Sequence, residues 1–334
     1  MAERGRRPED NGPMQIVISG GAGFIGSHLV DACLTRGHRV IVIDNLLTGR
    51  RENLAHLADH PRLRFLERDV IEPLPEVEGE LYLHLASPAS PVGYARYPIE
   101  TMLANSLGTQ RLLDLARRDG ATFLFASTSE AYGDPLVHPQ PEEYWGNVNP
   151  VGPRACYDES KRYGEALTVT YVRQFGLDGR IVRIFNTYGP RNDPRDGRIV
   201  PNFITQALRG EPITVYGDGT QTRSYCYVSD LVEGVLRAAL TPGLAGEVIN
   251  LGNPLEYSAV ELAVLIRRLA DSSSPIVHAP PRPEEIARRR PEISKARRLL
   301  GWEPQVGIEE GLLQTIAWFR EQLALPASAV VDGT

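Results

Sequence analysis

The stretch QIVISGGAGFIGSH, residues 15–28, constrains the fold more than any other, because an apolar run passes without a linker into closely spaced glycines. QIVISG is β-branched and nearly continuous rather than alternating, as a strand covered on both faces requires. Gly20, Gly23 and Gly26 permit a tight turn and let a pyrophosphate approach the backbone, Phe24 and Ile25 completing the loop. The helix that opens here turns its free amide groups toward an anion. Further apolar runs follow at HRVIVID (38–44), LRFLERD (63–69), LYLHLAS (81–87), ATFLFAS (121–127) and GRIVRIFN (179–186), with amphipathic segments between them. That rhythm predicts an α/β fold, a Rossmann-type doubly wound parallel sheet.

The same rhythm assigns residues 14–185 to an NAD-binding domain. The pattern then loosens, and 186–320 is expected to form mainly a smaller C-terminal substrate-binding domain. The chain is expected to return to the main sheet near 225–255, where EVINLG (247–252) is strand-like. Residues 1–13 and 325–334 are expected to be disordered tails.

Asp44 closes the second strand, 18 residues after Gly26. A carboxylate there accepts hydrogen bonds from an adenosine ribose 2′-OH and repels a 2′-phosphate, so NAD is expected rather than NADP. Arg50 and Arg51 lie close by and leave an opening for a phosphate. Asn45 follows Asp44 on the same edge. Asp69 closes the third strand, where it either reaches the adenine edge or caps the strand end.

Composition narrows the partners. The net charge of −6 argues against nucleic acid, although Arg288-Arg289-Arg290 stands out against it. Cys33, Cys156 and Cys226 form no CxxC pair, which suits a reducing compartment and offers no metal site. No signal peptide is legible at the start, and no run approaches the ~20 apolar residues of a membrane span. A soluble, cytoplasmic protein with no membrane partner is expected.

Two groups carry the chemistry. In YDESK, Tyr157 and Lys161 stand four apart on one helix face. A nearby ammonium and a positive nicotinamide ring would favour the phenolate and lower a pKa that is ordinarily about 10. Thr128 would complete the set around a substrate hydroxyl. Glu130, in ASTSEAYG, poses a question, since plain alcohol oxidation needs no further acid or base.

GGAGFIG, STSEAYG, YDESK and RIFNTYGPR together resemble the extended short-chain dehydrogenase/reductase family, which acts on nucleotide sugars. HLASPASPVGY, HPQPEEYWGNVNPVGPRACYDESKR and GRIVPNFITQALRGEPITVYGDGTQTRSYCYVSDLV are similar to one branch, the UDP-glucuronic acid decarboxylases. The resemblance implies NAD-dependent oxidation at C4 of UDP-glucuronate, loss of CO2, protonation at C5 and return of the hydride, giving UDP-xylose. Related 4,6-dehydratases place an Asp-Glu pair where this chain has Ser129 and Glu130. Ser129 is a poor general acid, so dehydration loses its leaving-group catalyst. Glu130 is then assigned to proton and water handling near C5, the alternative being a carboxylate that only supports the turn.

The resemblance also implies that Arg223 meets the substrate diphosphate and that Arg289 lies near the sugar carboxylate, the register within the three arginines staying open. Pro88 and Tyr94 are expected to line the sugar pocket. Asn186 is placed to donate to a phosphate or sugar oxygen, and Tyr216 to lie either against uracil or in the core. A homodimer through the helices near 101–119 and 157–175 is expected. A 4-epimerase, a 4,6-dehydratase and a non-catalytic NAD sensor are the alternatives.

Overall fold

Each of the six long apolar runs forms a strand. In the computed structural model these are β1 (Gln15–Ser19), β2 (Arg39–Asp44), β3 (Leu63–Glu67), β4 (Leu81–His84), β5 (Thr122–Thr128) and β6 (Gly179–Ile184). The structure describes residues 12–74, 76–281 and 286–324. Within the tail segments only residues 12 and 13 are described, so the expectation of disorder for 1–11 and 325–334 lies outside the described residues.

The strands join with Val248–Leu251 in one seven-stranded sheet, in the order Val248–Leu251, β6, β5, β4, β1, β2, β3. All six pairings are parallel. Ile16, Val17 and Ile18 are all nearly inaccessible, which shows why β1 is apolar on both faces. Strand order reverses between β1 and β4, and such a switch point leaves a crevice beyond the carboxyl ends of the strands. The cavity described below opens there.

Two helices set the crevice walls. Helix α1 (Phe24–Thr35) starts directly from the glycine loop. The long helix Ala155–Phe175 lies against β5, and Gly164 permits the approach: a Cβ there would come within 2.3 Å of the Phe125 ring. This contact carries Tyr157 and Lys161 to the end of β5.

The C-terminal half contributes short sheets. Thr222–Ser224 is flanked by Glu256–Ser258, antiparallel, and by Arg288–Arg289, parallel. Ile213–Tyr216 pairs in parallel with Ile276–Ala279. One buried apolar cluster runs from Ile16 and Ile18 through Leu231 and Val235 to Leu262, Ile316 and Phe319, so sheet and C-terminal helices share a core. Among the described residues, no helix is long and apolar enough to cross a membrane.

Candidate active site

A cavity of about 1180 Å³ occupies the crevice. Its cofactor side is shaped by the glycine loop. Gly20 takes φ +75°, and a Cβ at Gly26 would sit 2.1 Å from the Gly20 carbonyl oxygen. No side chain fits there, so the amides at the start of α1 stay open to a phosphate. Asp44 is buried, its Oδ2 accepting from the Ala22 amide and its Oδ1 from the Leu46 amide, both at 2.9 Å. Burial raises its pKa and these amides work against the rise. Each carboxylate oxygen keeps lone-pair capacity for a further donor. Asn45 donates to Asp69 Oδ2 at 2.8 Å, while Asp69 Oδ1 accepts from the Ile71 amide at 3.1 Å. Asp69 thus caps its strand end and also lies on the cavity wall. The donors, the carboxylate and the bare glycine cradle fit a dinucleotide. Arg51, one of the two arginines that left room for a 2′-phosphate, is paired with Glu67.

At the reacting end, Thr128, Glu130, Tyr157 and Lys161 line the cavity together with Pro88, Tyr94 and Asn186. Tyr94 stacks on Tyr157, centroids 5.2 Å apart and planes 13° apart. Thr128 is the last residue of β5; its hydroxyl accepts from the Glu130 amide at 3.2 Å and favours the Tyr157 phenolate.

Burial works against the charged forms of both Lys161 and Tyr157. Lys161 donates to the Ala126 carbonyl at 2.8 Å, and burial pulls its ammonium down to about 7 although Glu165 favours the charged form. Burial pushes Tyr157 up to about 12, and the influences that oppose this come from Thr128 and the Arg198 charge. Desolvation outweighs the spacing argument in a pocket this enclosed.

Glu130 is held by two guanidiniums. Arg289 and Arg154 each form an ion pair with its carboxylate. Burial disfavours the charge, but the two arginines prevail and hold the carboxyl below its usual range. The group is therefore ionised at neutral pH and carries no proton to give. Asp158 lies behind Arg154, with 3.7 Å from Oδ2 to the arginine Nε, and burial and the Glu130 charge push its carboxyl up to about 7.

Strand pairing fixes the register of the three arginines. Arg289 is 2% exposed and turns inward to Glu130 and the Gly133 carbonyl, whereas Arg288 and Arg290 flank Glu256. Arg223 is the pairing partner of Arg289 and its charge bears on Glu130. Arg223, Arg289 and Tyr216 are not among the described residues that line the cavity. Tyr216 is half-buried at the end of its strand.

Arg154 and Arg198 were missed in the sequence, although both line the cavity. Arg154 stands three residues before Tyr157, so one turn of helix carries it to the same end of β5; that spacing was the available signal. Nothing local marks Arg198. A buried polar layer behind the site was also missed: Ser127 donates to Glu165 at 2.5 Å, and Arg183 grips the same carboxylate at 2.7 and 2.9 Å.

The NAD dependent epimerase/dehydratase family model matches residues 16–252. The chain belongs to that family. UDP-glucuronic acid decarboxylase 1 of Xenopus tropicalis is 52% identical over 309 residues, covering 92% of this chain and 73% of that protein. UDP-glucuronic acid decarboxylase 3 of Arabidopsis thaliana is 52% identical over 314 residues, covering 94% and 91%. Among solved structures, the UDP-glucose 4-epimerase of Thermotoga maritima with UDP-glucose superposes with a TM-score of 0.83 at 33% identity, covering 93% of this chain and all of that one. The dTDP-glucose 4,6-dehydratase DesIV of Streptomyces venezuelae, with NAD bound, gives 0.82 at 31% identity, covering 92% and 97%. Family members thus share the scaffold while differing in reaction.

Proposed function

We propose that the chain is an NAD-dependent UDP-glucuronate decarboxylase that forms UDP-xylose. The observation that carries this reading is the end of β5: Thr128 on the cavity wall with Tyr157, Ser129 where a dehydratase needs an acid, and Glu130 between two guanidiniums. The likeness to the decarboxylases of frog and cress supports it. Asp44 favours NAD over NADP through the ribose 2′-OH.

When bound, NAD supplies the hydride acceptor at C4, later the donor, and a positive ring that favours the phenolate. Tyr157, oriented by Thr128, removes the C4 hydroxyl proton. The resulting ketone lies β to the C6 carboxylate, so the electrons of the C5–C6 bond enter an enolate as CO2 leaves. C5 must then gain one proton. Glu130, kept ionised, orients a water for that delivery rather than giving up a proton of its own. Tyr157 returns its proton to O4 as C4 is reduced again. Ser129 cannot protonate a C6 hydroxyl, which disfavours dehydration.

A homodimer belongs to the same reading. Ile99, Met102, Leu103 and Leu107 are exposed on one helical stretch, and Tyr163 and Phe175 on the long helix packed against it.

Turnover of UDP-glucuronate in D2O tests the reaction. A UDP-pentose one mass unit heavier, labelled at C5 alone, is expected, since the C4 hydride never exchanges. A product that retains C6, or a pentose without deuterium at C5, overturns the proposal.

A further inference from the structure

If the substrate is UDP-glucuronate, one guanidinium must recognise its sugar carboxylate, and sequence resemblance directs that role to Arg289. The geometry is unfavourable to it. Arg289 is 2% exposed, paired with Glu130, and donates through Nη2 to the Gly133 carbonyl at 2.8 Å. A ligand approaching from the cavity meets Glu130 first.

Arg154 lies on the other side of the same carboxylate. It lines the cavity, keeps 29% of its side chain exposed, and stands immediately before the helix that carries Tyr157. Its Nε is buried and has no hydrogen-bond partner among the described residues, Asp158 Oδ2 standing 3.7 Å from it. Burial works to lower its pKa, but Glu130, Tyr94, Asp158 and Tyr157 surround it and raise it on balance. Arg154 is therefore a permanent cation amid the reacting groups, with part of its donor fork unused. Glu130 has a second guanidinium in Arg289, so the outer one can be shared.

We propose that Arg154 is the guanidinium that receives the sugar carboxylate, while Arg289 remains the fixed counter-ion of Glu130. Arg154 is then the residue that distinguishes a uronate from a sugar with no acid at C5. Asp158, one helical turn further on, is a positioning residue that keeps the fork aimed when Glu130 yields its share.

The inference rests on the decarboxylase reading, so the two must fail separately. Conversion of UDP-glucuronate by the unmodified protein tests that reading. Binding is then measured in an NAD-saturated Tyr157→Phe background, where turnover is suppressed, with UDP-glucuronate and UDP-xylose as probes. Arg154→Gln should weaken UDP-glucuronate by roughly tenfold to a hundredfold, as loss of charge-assisted hydrogen bonds does, and leave UDP-xylose unchanged. Arg154→Lys should recover part of the loss. A simpler account is that Arg154 only neutralises Glu130, leaving that carboxylate to repel the substrate when Arg154 is removed. The double variant Arg154→Gln/Glu130→Gln separates the two accounts and also removes a buried charge left with one partner fewer, which guards against a folding defect. A preference that stays lost in the double variant supports direct recognition. Recovery there, or an Arg154→Gln protein that keeps the preference while the unmodified enzyme decarboxylates, overturns the proposal.

Discussion

Along the glycine loop the cavity is shaped by backbone: the bare Gly20 and Gly26, the amides of Ala22 and Leu46 on Asp44, and the start of α1. At the end of β5 the work passes to long side chains, Arg154, Arg289 and Glu130, reaching across from separate segments. The first wall has almost no freedom to adjust, whereas the second can exchange partners. A scaffold common to several reactions needs this division, with a rigid seat for the shared cofactor and a rearrangeable corner for the substrate.

The sharpest way to break that contrast is Gly26→Ala. The added methyl would meet the Gly20 carbonyl oxygen at 2.1 Å, and backbone cannot swing aside as an arginine can. NAD titration should show no binding at concentrations that saturate the unmodified protein; retained affinity would mean that the loop is softer than its geometry implies. Next in size is Tyr157→Phe. Its binding wall stays intact, so NAD and UDP-glucuronate should bind nearly as before while turnover falls by ~10²–10⁴-fold. Full activity would place the base elsewhere.

The smallest effect sharpens the contrast from the corner side, through Asp158→Asn. In the folded protein the Asp158 carboxyl keeps its proton up to about 7, against an ordinary value of 3.8. Between those values the folded state binds more protons than the unfolded chain, so this group's stabilisation is complete below about pH 4 and lost as pH rises to 7. Removing it should flatten that part of a urea-unfolding stability curve and stabilise the protein at pH 8. An unchanged slope would show that Asp158 ionises normally.

The cofactor wall was legible in the sequence because its contacts are short along the chain: Asp44 reaches Leu46 two residues on, and Gly26 meets the loop that it ends. Strand positions were legible for another reason, burial of both faces leaving near-continuous apolar runs in all but the edge strand β3. The corner was only half legible. Residue types at 128, 130, 157, 161 and 289 marked the chemistry, but their partners depend on the packing of β5, the long helix and the Arg288–Arg289 strand. Arg154 went unnoticed because its spacing from Tyr157 brings it only to the end of β5, and its pairing with Glu130 depends on how β5 and the long helix pack. The Tyr157–Lys161 spacing was legible, whereas the burial that opposes both charged forms was not, because desolvation leaves no mark in five residues.

The run at 288–290 has one more consequence. Alternation along a strand means that a slip by one residue exchanges the inward and outward positions. Here such a slip would still bring a guanidinium to Glu130, since both neighbours of Arg289 are arginines. The segment is fault-tolerant in charge at the place where the corner can least bear an error, because breaking a buried ion pair costs ~3–5 kcal/mol. In the observed register Arg288 and Arg290 face Glu256, so a substitution at 289 alone breaks the pair with Glu130 unless the strand itself shifts by one residue.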